Sequence, residues 1–157
     1  KKKKLYLYMT KKIVTWFLCL SFLSINIVHS EEKFWSLKND KVNVRYGHGK
    51  EHAIKYIYRK INLPVKQIDK KDNWRRVIFL DNNSGWIHQS QLKSSNSVII
   101  LEKKILFKKA SSFSEPFARL EKGRLLVIKK CEDEWCNVTT NSHKGWIKNK
   151  NVWGSTK

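Results

Sequence analysis

The chain has 157 residues, of which 33 are Lys or Arg and 13 are Asp or Glu, so its formal net charge is +20. This length allows one domain or two very small ones, and it leaves no room for a large catalytic domain beside a binding domain. The hydrophobic share of 41% excludes a disordered chain, while two prolines and six glycines exclude collagen-like and proline-rich classes.

Residues 1–30 have the pattern of a secretory signal peptide. The first twelve residues contain six lysines and no acidic residue, and an apolar run follows at 13–25. Val28 and Ser30 occupy the −3 and −1 positions, so we predict cleavage between Ser30 and Glu31. The apolar run is shorter than the ~20 residues that cross a bilayer, which favours cleavage over the alternative, an uncleaved membrane anchor.

After cleavage the mature chain keeps 27 basic and 13 acidic residues, a net charge of +14. One interpretation is a compositional bias toward Lys that only decorates solvated faces. The other is attraction to an anionic surface. For an exported protein, periplasmic or extracellular, we expect peptidoglycan, a peptide or a protein ligand as partner. We also expect at most weak electrostatic association with an anionic membrane, and no nucleic acid.

The mature chain predicts short β-strands and no helix, because its runs are β-branched or aromatic and no stretch of 10 to 12 residues keeps a helical stripe. In the first half the predicted strands are Phe34–Leu37, Val42–Tyr46, Tyr56–Tyr58, Leu63–Ile68, Trp74–Leu80 and Gly85–His88. In the second half they are Val98–Leu101, Ile105–Lys108, Leu125–Lys130, Trp135–Thr140 and Lys144–Ile147.

The mature chain also repeats itself with a period of 60 to 63 residues. Three landmarks recur in the same order, namely Trp74 as Trp135, Gly85-Trp86-Ile87 as Gly145-Trp146-Ile147, and Val42–Arg45 as Ile105–Lys108. Such self-similarity predicts two homologous domains, at 34–94 and 97–154, joined by the polar linker Ser94–Ser97. A domain of this size with five or six short strands can protect its edges only by curling into a small barrel.

The residues of the first repeat resemble the bacterial SH3 domain family. The matching positions are Val42–Arg45, Gly47, Gly49, Trp74, Val77 and Gly85–Ile87. In particular, the chain looks like exported two-domain members that end in a Leu/Val-Trp-Gly segment, here Val152–Gly154. The resemblance implies an all-β fold of two tandem SH3-like β-barrels, binding peptides or wall polymer, and no enzyme activity. The second repeat departs from the family pattern, since Lys109–Ser112 replaces the glycine-rich Tyr46–Gly49.

Cys131 and Cys136 flank the polar turn Glu132–Trp135 between two predicted strands. Cysteines so placed can face each other across a hairpin, and an oxidising compartment favours their disulfide. A metal site would need more ligands nearby, and a redox motif would favour a two-residue spacer over the four seen here.

We predict the ligand site on the first domain, on aromatic residues that the second domain does not repeat. Tyr56 and Tyr58 share one strand face, with Ile57 facing the core, and basic residues Arg45, Lys55 and Arg59 flank them. The candidate ligand-binding residues are Arg45, Tyr46, His48, Tyr56, Tyr58 and Trp86. The alternative is that the tyrosines are ordinary edge-strand residues and that the tryptophans are barrel core.

No catalytic constellation is apparent in the mature chain, so we expect a binding protein with no cofactor and no metal. His48 and His52 are four residues apart but lie in a predicted loop. No phosphate-binding glycine loop or serine elbow occurs. A different functional class stays open, a membrane-tethered structural or assembly factor held by an uncleaved N-terminal segment.

Overall fold

The computed structural model describes residues 32–140 and 143–156. This part of the chain is all-β, as predicted, and contains two separate seven-stranded antiparallel sheets. Within it, no helix combines the length and the hydropathy of a membrane span. The predicted signal peptide and its cleavage between Ser30 and Glu31 lie outside the described residues.

The first sheet is built from the first repeat. Its strands are β1 Phe34–Leu37, β2 Val42–Arg45, β3 Ile54–Tyr58, β4 Pro64–Lys71, β5 Trp74–Ile78, β6 Ser84–His88 and β7 Leu92–Ser94. A 3-10 turn, Gln89–Gln91, connects the last two strands. The strand order across the sheet is β3-β2-β6-β5-β4-β1-β7.

The second sheet has the same topology. Its strands are β8 Ser97–Ile100, β9 Lys104–Phe107, β10 Pro116–Leu120, β11 Leu125–Glu132, β12 Trp135–Thr139, β13 Lys144–Lys148 and β14 Val152–Gly154. The order β10-β9-β13-β12-β11-β8-β14 matches the first sheet strand for strand. The predicted fold class, two tandem small barrels, is therefore confirmed.

Each barrel closes on its own apolar core, with Val44, Val77 and Ile87 buried in the first. The repeated Gly-Trp-Ile has a structural cause. A Cβ atom on Gly85 would lie 2.9 Å from the carbonyl oxygen of Arg45, and one on Gly145 would lie 2.7 Å from that of Phe107. Only glycine lets the two strands of each barrel approach this closely.

Three of the observed strands, β7, β10 and β14, were not predicted as strands. β10 has the sequence Pro-Phe-Ala-Arg-Leu, in which Phe117 alone has high strand propensity. It lies at the edge of its sheet, where a missing N–H group is tolerated.

The equivalence of the repeats is shifted by one residue from the predicted one. Arg45 pairs with Trp86, and Phe107 pairs with Trp146, so Arg45 corresponds to Phe107 and not to Lys108. The reason is the alternation of burial along β9, since Leu106 is fully buried and Ile105 is 45% exposed. The predicted alignment instead matches the exposed Ile105 with Val42, which is fully buried.

The predicted orientation of β3 is wrong. Ile57 is 49% exposed, whereas Tyr56 and Tyr58 pack against the core. The register decides this, because Tyr56 and Tyr58 stand opposite Val44 and Val42, which are fully buried. Paired residues share a face, so the tyrosines turn inward.

Cys131 and Cys136 are a facing pair in the β11–β12 hairpin and form the predicted disulfide. Their counterparts in the β4–β5 hairpin are Lys70 and Arg75. The covalent link therefore belongs to the second barrel alone among the described residues.

The two barrels lie within one compact unit and meet along a small polar contact. Ser97 Oγ donates a hydrogen bond to the backbone oxygen of Asn62 at 2.5 Å, and it lies 2.7 Å from Ser36 Oγ. Both serines are fully buried. Nearby, the rings of Phe34 and Trp153 meet edge to face with centroids 5.3 Å apart.

Candidate functional site

A cationic and aromatic cleft opens on the first barrel, where β6 crosses β2. We call it the groove. It has a volume of about 230 Å³ and is lined by Arg45, Tyr46, Lys55, Arg76, Ser84, Gly85 and Trp86. The close approach at Gly85 forms its floor, so the glycine that the fold requires also shapes the cleft.

Three basic side chains enter the groove from three different strands, and no acidic residue lines it. Arg45 Nη1 donates to the backbone oxygen of His52 at 2.6 Å, and Lys55 Nζ donates to that of Ser84 at 3.1 Å. Arg76 forms no ion pair in the described part of the chain. Carbonyl oxygens thus hold Arg45 and Lys55 in place, and all three cations keep their positive charge.

The aromatic residues at the groove form two groups, one around Lys55 and one made by His48 and Trp86. Tyr46 is 66% exposed, although it is a large apolar ring. Lys55 Nζ lies 5.6 Å from the ring centre of Tyr46 and 5.2 Å from that of Tyr56. His48 meets Trp86 edge to face at 5.4 Å. Such a surface can stack on planar groups and hydrogen-bond to carbonyl or carboxylate oxygens.

The structure therefore places five of the six predicted site residues together. Arg45, Tyr46 and Trp86 line the groove, His48 packs on Trp86, and Tyr56 contacts Lys55.

Tyr58 lies apart from the groove. Its ring stacks on Phe79 with centroids 3.8 Å apart, and its hydroxyl group lies 3.5 Å from Asp81 Oδ2. Burial, and then the negative charge of Asp81, raise the pKa of Tyr58 above its usual value of 10. This tyrosine supports the core more than it presents a ligand surface. Flanking Arg59, at the end of β3, also lies outside the groove.

Two lining residues, Arg76 and Ser84, were missed by the sequence analysis. The register of the β5–β6 hairpin would have found the first, since Arg76 stands directly opposite Trp86. Side chains of a facing pair lie on the same side of the sheet. For Ser84 the only available signal is its position as the first residue of β6.

The second barrel replaces all three groove cations with uncharged residues. By strand register, Arg45, Lys55 and Arg76 correspond to Phe107, Phe117 and Asn137. Phe117 covers the equivalent floor, because a Cβ atom on Gly145 would lie 2.9 Å from Phe117 Cε1. The cationic groove is a property of the first barrel.

No group of three His, Cys, Asp or Glu side chains is placed to hold a metal ion within residues 32–140 and 143–156. The groove lining offers a ligand positive charge, hydrogen-bond donors and aromatic faces.

A family model described as bacterial SH3 domain matches residues 38–94 and 104–154, together more than half of the chain. No curated protein sequence matches the chain significantly. Among solved structures, NlpC2 from Trichomonas vaginalis is similar with a TM-score of 0.37 and 10% identity, covering 80% of this chain and 49% of that one. NlpC1 from the same organism gives a TM-score of 0.35 and 10% identity, covering 83% and 50%. The chain thus spans about half the length of either protein.

Proposed function

The chain belongs to the bacterial SH3 domain family, and from this premise we propose that it is an exported, non-enzymatic binding protein whose ligand lies in the groove of the first barrel. Bacterial SH3 domains commonly bind peptidoglycan or peptides. The proposed ligand is accordingly cell-wall peptidoglycan or a peptide segment of a protein partner.

The observation that carries the proposal is the convergence of Arg45, Lys55 and Arg76 beside two exposed or half-buried aromatic rings. Three cations without a lining acid attract carboxylate and carbonyl oxygens. The rings of Tyr46 and Trp86 can pack on peptide planes or sugar faces. An extended, partly anionic ligand fits this combination better than an apolar or a cationic one.

The binding role without catalysis is supported by what lines the groove. Its described lining contains one hydroxyl group outside the tyrosine, that of Ser84, and no carboxylate, imidazole or thiol group that could act as its general base. Export is supported by the signal-like first thirty residues and by the disulfide, which forms and persists in oxidising compartments.

The test is co-sedimentation of the full chain with purified peptidoglycan sacculi at low salt and at about 0.3 M salt, where exposed charge contacts are screened. Tyr46→Ala and Arg76→Asn should each weaken retention at the higher salt by about tenfold, which corresponds to one good contact of about 1.4 kcal/mol.

Matched controls come from the second barrel. Phe113→Ala removes a fully exposed aromatic ring, and Arg119→Asn removes an exposed arginine on β10. Both should bind as the unmodified chain does. Equal loss in Arg76→Asn and Arg119→Asn with none in Tyr46→Ala, or loss of all binding on adding salt, would mean that net charge alone holds the protein to the wall.

Export has its own measurement, N-terminal sequencing of the protein recovered from its cells. A mature N terminus at Glu31 supports the exported form. A retained N-terminal segment would favour the membrane-tethered alternative and would leave the groove proposal intact.

A further inference from the structure

A second cleft lies at the junction of the two barrels and shares no lining residue with the groove. We call it the junction cleft. It has a volume of about 470 Å³ and takes residues from both barrels, including Asp40, Arg59, Lys60 and Asn62 of the first and Arg124 and Thr139 of the second. We propose that the junction cleft is a binding site for the carboxyl-terminal end of a short peptide.

The first argument is charge. Arg59, Lys60 and Arg124 are exposed, and Asp40 is the one acidic residue in the lining. None of these four side chains forms an ion pair in the described part of the chain, whereas seven other pairs are present there. The lining therefore keeps a net positive charge, and its two guanidinium groups come from opposite barrels. Arginine forks suit a carboxylate, which accepts two parallel hydrogen bonds.

The second argument is a fixed hydrogen-bond acceptor without a partner. Asn62 adopts a left-handed backbone conformation with φ of 63°. Its N–H group donates to the oxygen of Leu37 at 2.9 Å, and its own oxygen accepts from Ser97 Oγ. Both barrels thus hold Asn62 in place. Yet its side-chain Oδ1 is buried and has no hydrogen-bond partner among the described residues.

Thr139 gives a second unpartnered polar atom in the same lining, because its buried Oγ1 also lacks a partner there. A buried polar atom without a partner is unfavourable, so a bound molecule that supplies the missing hydrogen bonds binds more tightly. Asn62 Oδ1 can only accept, which requires an N–H or O–H group on the ligand.

The two arguments together select the ligand class. A peptide carboxyl terminus presents a carboxylate and, one residue earlier, an amide N–H group. A phosphate ion has no amide N–H group, so it could meet the oxygen of Asn62 only through a P–O–H group, and its other oxygens would face the carboxylate of Asp40. The volume is in the range that holds small ligands, and clefts between domains are frequent binding sites. Since these contacts reach the peptide backbone, small side chains of any sequence should be accepted.

This site goes beyond the proposed function, because it shares no lining residue with the groove. It also requires both barrels, so neither repeat alone could form it. Its ligand would tie the two barrels together and should raise the midpoint of thermal unfolding of the whole chain.

The experiment is a titration of the isotope-labelled full chain with acetyl-trialanine, followed by NMR of the backbone amides. We expect saturable shifts at Asn62 and Thr139 and none at Trp86. The C-terminal amide of the same peptide should bind at least tenfold more weakly. Arg124→Gln should weaken binding of the acid by about tenfold, whereas Arg119→Gln, an exposed arginine outside the cleft, should not. The acid should also raise the unfolding midpoint.

Other outcomes overturn the proposal. Absence of shifts up to 10 mM peptide, or equal affinity for acid and amide, removes the carboxylate as the recognised group. Inorganic phosphate that binds the same amides as tightly would make the cleft a simple anion site. Shifts confined to groove residues would support the proposed function and reject the junction cleft, and Arg76→Asn would then abolish them.

Discussion

The two barrels share one topology but not one surface. Both keep a glycine where two strands nearly touch, and both bury an isoleucine two residues later, Ile87 and Ile147. By contrast, the groove cations of the first barrel correspond to two phenylalanines and an asparagine in the second. Both repeats keep the glycine and the isoleucine that a small barrel needs in order to close. The surface residues between them can differ, so that one barrel has a ligand surface and the other does not.

The barrels also differ in how they are stabilised. The second carries a disulfide across the hairpin in which the first has Lys70 and Arg75 facing each other. The first instead packs Tyr58 on Phe79, at the place where the second has Leu120. Each difference gives a substitution that affects one barrel and not the other.

The largest effect is expected from the core of the second barrel. Leu106→Ala removes a fully buried side chain at the position equivalent to Val44 and should lower the free energy of unfolding by about 2–5 kcal/mol, measured by urea denaturation. The neighbouring Ile105→Ala is the control, and because Ile105 is 45% exposed its cost should stay within about 0.5 kcal/mol. A larger loss for Ile105 than for Leu106 would restore the originally predicted alignment of the repeats.

The next effect concerns the disulfide. Replacing Cys131 and Cys136 together by serine should cost about 2 kcal/mol, because the chain-entropy model gives that value for so short a loop. Urea denaturation with and without a reductant measures it, and the double variant should no longer respond to the reductant. Lys70→Ser, at the exposed site of the first barrel equivalent to Cys131, is the control. A similar loss in that control would show that the hairpin side chains, and not the covalent link, stabilise the sheet.

Much of the fold could be predicted from the sequence, because the features that determine it are local or repeated. The alternation of β-branched residues, the recurring Gly-Trp-Ile and the spacing of the cysteines each report a physical requirement of a small barrel. Apart from the three strands that were not predicted, β7, β10 and β14, the failures were of register. Ile57 and Ile105 are apolar, but each lies one position away from the inward face. Only the pairing with β2 decides the face of Tyr56, and a single strand does not contain that information.

The same distinction between local motifs and strand register explains why only part of the groove was predicted. Arg45 and Trp86 belong to the repeated motif and Tyr46 adjoins it, which made them visible in the sequence. Arg76 enters from another strand, so finding it depends on the register of a hairpin. The junction cleft was out of reach of sequence analysis. Asn62 and Thr139 are 77 positions apart in the sequence, and no local pattern places one barrel against the other.

The smallest effect is a pH dependence that the second barrel lacks, since Leu120 occupies the position of Tyr58. The pKa of Tyr58 is raised in the folded state, so its contribution to stability is fully present below pH 10 and is lost as the pH rises through the folded pKa. The difference in unfolding free energy between the unmodified chain and Tyr58→Phe should therefore be constant near neutrality and should decline above pH 10. Asp81→Asn removes the second cause of the shift and should make the decline shallower. If the unfolding free energies of the unmodified chain and of Tyr58→Phe decline equally above pH 10, the phenol is solvated in the folded state. Its stacking on Phe79 then does not exclude water from the hydroxyl group.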